Sequence, residues 1–348
     1  MLWLAIFLYF QLSPCGIAPW SCGDYATTQD VQTYKISVGA GPEDMAFDTS
    51  SGAARIIVSC SDRRDEDAAT GSFYQINPTD HSTSRLRIKP SNLAIFPHGI
   101  DVETIEGIPY LYAISHHGKG IETEHKIFRF IIKQDTLIQD ESYVLEDSLM
   151  TGPNDIDVLS DGSFYVSNPM PSNQPTESTK AILGIKNGNV LHFDGNGNWN
   201  IAVKEMCYPN GVYVDQEGSH LFVANGGCQA VERFKVLNGK VVEDEKLSTV
   251  ESDVDIPIGD NLLLDNHGVL WTAAHPCPLK FLKHVKRSED KSPIQIFNID
   301  PKTMAPKLIF QNNGELISAA STVLRIENQL FVSQVFDPFV LVVEGLDF

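Results

Sequence analysis

Six stretches of the chain open on a polar residue or pair and run at once into alternating hydrophobics. They begin at Glu43-Asp44, His98-Gly99, Asn154-Asp155, Asn210-Gly211, Asp260-Asn261 and Ser321-Thr322. The spacings are 55, 56, 56, 50 and 61 residues (98−43, 154−98, 210−154, 260−210, 321−260). Such a recurrence permits few architectures, because each unit must be one supersecondary element that buries its faces against its neighbours. The content of the units is strand-like. In the third, Asp155-Ile156-Asp157-Val158 alternates, Asp161-Gly162 turns, Ser163-Phe164-Tyr165-Val166 follows, and Asn189–Phe193 reads as a third strand. The fourth repeats this plan with Gly211–Val214, a turn at Glu217-Gly218 and His220–Val223. No long amphipathic helix is legible, which argues against α/β repeats. The pattern predicts an all-β fold, a six-bladed β-propeller forming one closed domain over residues 32–348. Tyr34–Val38 is expected to pair with the last blade near Phe339–Val343 and so hide an open edge.

A net charge of −19 repels phosphate backbones and argues against a nucleic-acid partner. It is compatible with gathering a hard cation and equally with a plain soluble surface. The apolar run Leu2–Leu12, broken by Pro14 and Pro19, predicts a secretory signal over residues 1–18, cleaved or retained, or a membrane-associated anchor. The six cysteines show no CxxC or zinc spacing, and in a secreted chain one or two disulfides are expected, with the pairing open. The only Asn-x-Ser/Thr match is Asn77-Pro78-Thr79, which proline blocks.

Taken singly, Gly41-Pro42-Glu43-Asp44, Gly152-Pro153-Asn154-Asp155 and Asn210-Gly211 are good turn formers. Taken in phase, a propeller focuses them on one axis. Glu43, Asn154, Asn210, Asp260 and Asn261 then present only carboxylate and amide oxygens, the donor set of a hard cation, calcium first. Asp44 and Asp155 each follow a proposed ligand, and strand alternation turns them deeper into the channel. They suggest a second, buried calcium helped by the Ile100 carbonyl; the alternative is a pair of turn-capping aspartates. His98 opens the second blade and His116 ends its next strand. The two imidazoles are therefore placed to pair, one orienting the other as a water-activating base. His117 is a weaker candidate, and His275 is expected to line a substrate pocket.

These residues resemble the serum paraoxonase/arylesterase family, six-bladed propellers with two calcium ions in the tunnel. The family is related more distantly to gluconolactonase and regucalcin-like propellers. The matching segments are GPED (41–44), FPHGI (96–100), PNDI (153–156), PNGV (209–212), DNLLLD (260–265), AHP (274–276) and STV (321–323). The resemblance implies a catalytic calcium on Glu43, Asn154, Asn210, Asp260 and Asn261, a structural one on Asp44, Asp155 and the Ile100 carbonyl, and a histidine dyad at His98 and His116. It also implies pocket walls at Tyr208, Leu282, Val335 and Phe336. The family's cysteine staple between first and last strands has no counterpart, since no cysteine follows Cys277. Polar Pro171–Lys180 stands where the serum enzymes carry an apolar docking loop, which counts against lipoprotein association. The expected activity is hydrolysis of lactones and aryl esters, with phosphotriesters as a side activity and no G-x-S-x-G nucleophile. Two alternatives are a non-catalytic, calcium-stabilised binding propeller and a metal-free strictosidine synthase-like propeller.

Overall fold

The computed structural model describes residues 22–348 apart from 24, 51, 53, 66–69, 119–122, 171–184 and 253. The expected signal or anchor at 1–18 and the polar stretch 171–180 lie outside the described residues.

Six sheets follow one another along the chain, as the sixfold recurrence predicts. Their inner strands are Pro42–Asp48, Pro97–Ile105, Ile156–Val158, Pro209–Val214, Gly259–Leu264 and Ala320–Ile326. Each inner strand packs beside those of the neighbouring blades, and the sixth returns to the first. Gln32–Ser37 supplies the outer strand of the last blade, with Tyr34 opposite Val342 and Ser37 opposite Phe339. The chain thus closes its ring by backbone hydrogen bonding between its two ends, and that seam carries no disulfide. A fifth strand in the second blade, Arg87–Lys89, runs parallel to Thr136–Leu145. Three residues carry no legible period, so the sequence offered no sign of it.

The blades are held by six hydrophobic clusters, each joining two successive blades around the ring. Between the second and third, for example, Tyr112 and Ile114 pack against Phe164 and Val166. Both faces of a blade are therefore covered, and Arg55–Cys60 is buried at every position. Each fully buried aliphatic or aromatic side chain contributes about 1.5–3 kcal/mol, so stability is spread around the ring.

Carboxylates add a polar stitch between blades. Asp44 accepts the Ile100 N–H at 2.7 Å, Asp101 that of Val158 at 2.8 Å, and Asp155 that of Val212 at 2.8 Å. Asp157 likewise accepts the Val214 N–H.

Disulfides join Cys22 to Cys277 and Cys207 to Cys228, while Cys60 is a buried free thiol. The first bridge ties the segment ahead of the closing strand to the fifth blade, a covalent link that sequence spacing did not reveal. It leads into an α-helix, Pro278–Lys286, with proline in its first turn. No described helix is long and apolar enough to cross a membrane.

Candidate active site at one end of the central channel

The positions singled out from the recurrence stand at matching places in the blades, and a shared backbone device sets them there. Five inner strands carry one extra residue relative to their partner, between Pro42 and Asp44, Pro97 and Ile100, Pro209 and Val212, Gly259 and Leu262, and Ala320 and Val323. Such a bulge breaks strict alternation and re-aims side chains. Glu43, His98, Asn210, Asp260, Asn261, Ser321 and Thr322 all fall inside these bulges. In the third blade, Asn154 and Asp155 stand just ahead of the strand Ile156–Val158. Gly41, Tyr208, Ile258 and Ala319, each just before an inner strand, have φ of 59°, 56°, 45° and 54°. For β-branched Ile258 this is a strained conformation, held by its surroundings.

Gly211, by contrast, is no turn residue. A Cβ there would stand 2.5 Å from the Leu262 nitrogen and 2.6 Å from the Asp260 carbonyl oxygen. The glycine lets inner strands of adjacent blades approach closely beside the axis. Gly99 does the same against Asn154, whose carbonyl accepts its N–H at 3.1 Å.

Glu43 lies at the centre of the cluster, 2 % exposed. Its Oε1 accepts from the Ser321 hydroxyl at 2.7 Å and from the Asn261 amide at 3.2 Å. Its Oε2 lies 3.9 Å from the Arg63 guanidinium. Burial alone would raise this carboxyl, but His98, Arg63 and Ser321 outweigh it and hold the group lowered to about 2. One residue on, Asp44 accepts the Thr322 hydroxyl at 2.7 Å. Burial, and next the charge of Glu43, push Asp44 up to about 8. Asp155 is raised well above the usual carboxylate range by burial and then by Asp44. Three buried carboxylates thus face one another with a single guanidinium at their edge.

Buried side-chain atoms without a hydrogen-bond partner include Glu43 Oε2, Asn154 Oδ1, Asn210 Oδ1 and Asn261 Oδ1. Leaving a buried acceptor unsatisfied costs about 1–3 kcal/mol, so four at one place call for a common partner. Among the described residues no group of three His, Cys, Asp or Glu side chains is set to hold a metal. The convergence is instead of carboxylates with amides, all oxygen donors, which fits a hard divalent cation. The fifth candidate ligand, Asp260, accepts from His275 Nε2 at 2.9 Å. His275, expected from the sequence to line a substrate pocket, is 3 % exposed, its ring centroid 4.4 Å from that of Phe281.

His98 and His116 are 2.9 Å apart between Nδ1 and Nε2, with rings crossing at 87°. His98 Nε2 faces the site, 3.4 Å from the Asn154 amide nitrogen and 3.6 Å from Glu43 Oε1. Burial, then the neighbouring His98 and His125, holds His116 well below the usual imidazole value. His117 turns away, bonding Ser115 at 2.9 Å. Tyr208 is partly buried near Asp260 and Glu43, and its phenol is pushed up to about 12 by desolvation and then by those charges. Phe336 lies under the Arg64 guanidinium at 4.0 Å and against the buried His284, which shares a helix with Leu282. Val335 belongs to the same turn, its N–H donating to the Ala319 carbonyl.

Arg63, His125, Ser321, Thr322 and Ser333 were not assigned roles from sequence. Ser333 donates to the Glu43 carbonyl oxygen at 2.6 Å, so three hydroxyls from the sixth blade brace Glu43 and Asp44. The in-phase Ser321-Thr322 was the one available signal for them.

A six-bladed propeller with an oxygen-lined channel mouth and a histidine pair defines the class. The chain matches the family model described as Arylesterase over residues 65–341, and it belongs to the arylesterase family. Glu43 and Asp44 precede that span. No curated protein matches the sequence. Among solved structures, a gluconolactonase from Xanthomonas campestris is similar at 15% identity and TM-score 0.55, over 97% of this chain and 99% of that one. The calcium-binding protein regucalcin from Agrobacterium tumefaciens shows 11% identity and TM-score 0.53, over 92% and 94%. A luciferin-regenerating enzyme shows 11% and 0.58, over 90% and 95%. At these identities the likeness concerns the fold.

Proposed function

We propose that this protein is a calcium-dependent hydrolase of lactones and aryl esters, acting on small molecules. The observation that carries the reading is the set of unpartnered, buried oxygens on Glu43, Asn154, Asn210 and Asn261. With Asp260 they would hold a catalytic calcium, and Asp44, Asp155 and the Ile100 carbonyl a structural one. Calcium held there would supply Lewis-acid polarisation of a substrate carbonyl. The remaining chemistry falls to this chain's own residues. His98 Nε2, directed into the site, accepts the proton of the attacking water, and His116 orients the ring from behind. His98 then returns that proton to the leaving oxygen. Ser321 and Asn261 fix Glu43 in rotamer by donating to its Oε1. Tyr208, Leu282, Val335 and Phe336 would wall the substrate pocket and exclude water.

Arylesterase family membership and the lactonase-like fold of the neighbours support this reading. Residues 32–348 would act as one catalytic domain behind a secretion signal or anchor at 1–18. Two disulfides are consistent with an extracellular protein.

The test is turnover of phenyl acetate, γ- and δ-lactones and a phosphotriester at controlled free calcium, with bound metal measured in parallel. Chelator-sensitive hydrolysis and bound calcium are expected. A folded, calcium-loaded chain inert on every ester and lactone would instead favour a binding propeller. Turnover with calcium near zero would overturn the metal assignment.

A further inference from the structure

The helix Pro278–Lys286 begins just beyond His275, which bonds Asp260, and one side chain pins it beside the channel mouth. Arg64 reaches it from the loop after the strand Arg55–Cys60, where the Asp62 carboxylate accepts the N–H groups of Arg64 and Asp65 at 3.0 and 3.1 Å. One end of the Arg64 guanidinium, Nη2, lies 2.7 Å from the His284 carbonyl oxygen and 3.1 Å from His284 Nε2. The other end, Nη1, is 3.4 Å from the Asp337 carboxylate. The flat of the guanidinium covers the Phe336 ring at 4.0 Å, and Phe336 meets the His284 ring edge-on at 5.5 Å. Connections of the first, fifth and sixth blades therefore meet at Arg64.

The neighbours of the His284 ring leave it one arrangement of protons. Arginine only donates and a carbonyl only accepts. His284 Nε2 therefore takes an N–H from Arg64, and Nδ1–H donates to the Asp290 carbonyl oxygen at 3.1 Å. The residue is completely buried, so neither nitrogen turns to water instead. A second proton would set an Nε2–H against a guanidinium N–H at 3.1 Å, two like charges out of water. The other charged groups around the ring do not reverse this. Asp337 favours the protonated ring but is engaged by Arg64, while Lys291 opposes it. Lys280, Lys283 and Lys286 of its own helix are exposed. Arg64 Nε is buried without a partner, so the guanidinium has no second set of acceptors to fall back on.

We infer that His284 is a positioning residue: neutral, it locks Arg64 over Phe336 and fastens the helix carrying Leu282 to the pocket wall, and its protonation releases the helix. The lock stands on the hydrogen bonds. Its consequence for substrate rests on the hydrolase reading, in which Leu282 and Phe336 wall the pocket. Release leaves the oxygen cluster in place and loosens the wall, so it acts on substrate binding and spares the chemistry. Burial, and then the Arg64 charge, holds His284 below its ordinary 6.5. The lock is therefore closed at neutral pH, and its contribution is lost as pH falls.

Nitrogen-15 histidine spectra of the whole protein at neutral pH, without substrate, read the ring directly. A proton on His284 Nδ1 and none on Nε2 is expected; the reverse overturns the inference. His284→Gln keeps an acceptor toward Arg64 that takes up no proton in this range. Amide exchange, corrected for its own pH dependence, then follows the helix from about pH 7 to about pH 5. Its protection should fall roughly 10-fold or more in the wild-type chain, beyond any change in the inner strands, and stay level in His284→Gln. The same loss in both chains, or in neither, defeats the lock. Over that range KM for phenyl acetate should rise roughly 10-fold in the wild-type chain and hold within about twofold in the Gln variant, while kcat follows one pH profile in both. Matching KM profiles would remove the effect on the pocket. If His284→Gln does not fold, Arg64→Gln decides: it should lose the helix protection already at neutral pH, and full protection there defeats the lock. A wild-type chain inert on every substrate defeats the hydrolase reading, while the spectra and the exchange still decide the lock.

Discussion

Glu43 shows how much one side chain can carry. It is buried, ionised, braced by Ser321 and Asn261, and still has one oxygen with no hydrogen-bond partner. Glu43→Gln keeps the shape and most of the hydrogen bonds but removes the charge that a cation needs. It should lower kcat by roughly 100-fold or more and weaken calcium binding, with the far-ultraviolet dichroism unchanged. Full activity in that variant would sink the metal assignment. Residue types at the openings were legible because oxygen donors and a histidine stand out against hydrophobic strands. The hydroxyls of Ser321, Thr322 and Ser333 were not, since a hydroxyl declares its partner only when both are in place. Arg63 was silent for the same reason: it meets Glu43 from a different strand connection.

At the scale of the element, the inner strand with its bulge is the unit that builds the site. Strict alternation would send Asp260 and Asn261 to opposite faces, yet Asn261 bonds Glu43 and the adjacent Asp260 bonds His275 beside it. The extra residue between Gly259 and Leu262 makes room for this pairing of neighbours. Close approach of adjacent inner strands depends on glycine. Gly211→Ala would press a methyl onto the backbone of Leu262 and Asp260, and should cost about 1–3 kcal/mol, read as a lower urea midpoint at unchanged slope. An unchanged midpoint would mean that the blades can part at no cost. The helix Pro278–Lys286 escaped the sequence reading because nine residues give only about two and a half turns of period, although Pro278 marked its start.

Across the whole molecule, six interface clusters and the carboxylate stitch make the ring cooperative. Asp155→Ala leaves the buried Val212 N–H without its acceptor and removes a proposed ligand of the inner cation. It should lower stability by about 1–3 kcal/mol in chelator, and by more when calcium is present, seen as a smaller calcium-dependent rise in Tm. A calcium-dependent rise equal to wild type would remove Asp155 from the ligand set. Acid should act through the histidines. Burial lowers His116, His117, His125, His192 and His284 below their ordinary 6.5. The unfolded chain then binds protons more readily, so each ring contributes stability that is full above about pH 6.5 and lost as pH falls below it. Asp44 and Asp155, whose carboxyls burial raises, act with the opposite sign: they favour the fold while protonated and lose that stability as pH rises. Thermal scans in chelator should therefore show Tm highest near neutral pH and lower on both sides; a level Tm from neutral to weakly alkaline pH would contradict the carboxyl sign, and a rise below about 6.5 the histidine sign.

The sequence by itself determined the number of blades, the strand content of each, the ring closure by Tyr34 and its neighbours, and which residues open the blades. Those follow from period and hydrophobic alternation, which are local properties of a chain. Only the tertiary structure decided the bulges, the glycine contacts, the disulfide partners, the hydroxyl braces and the contact of Arg64 with His284. Each of these depends on which atoms from distant segments meet, and no spacing along the chain encodes a distance across the channel.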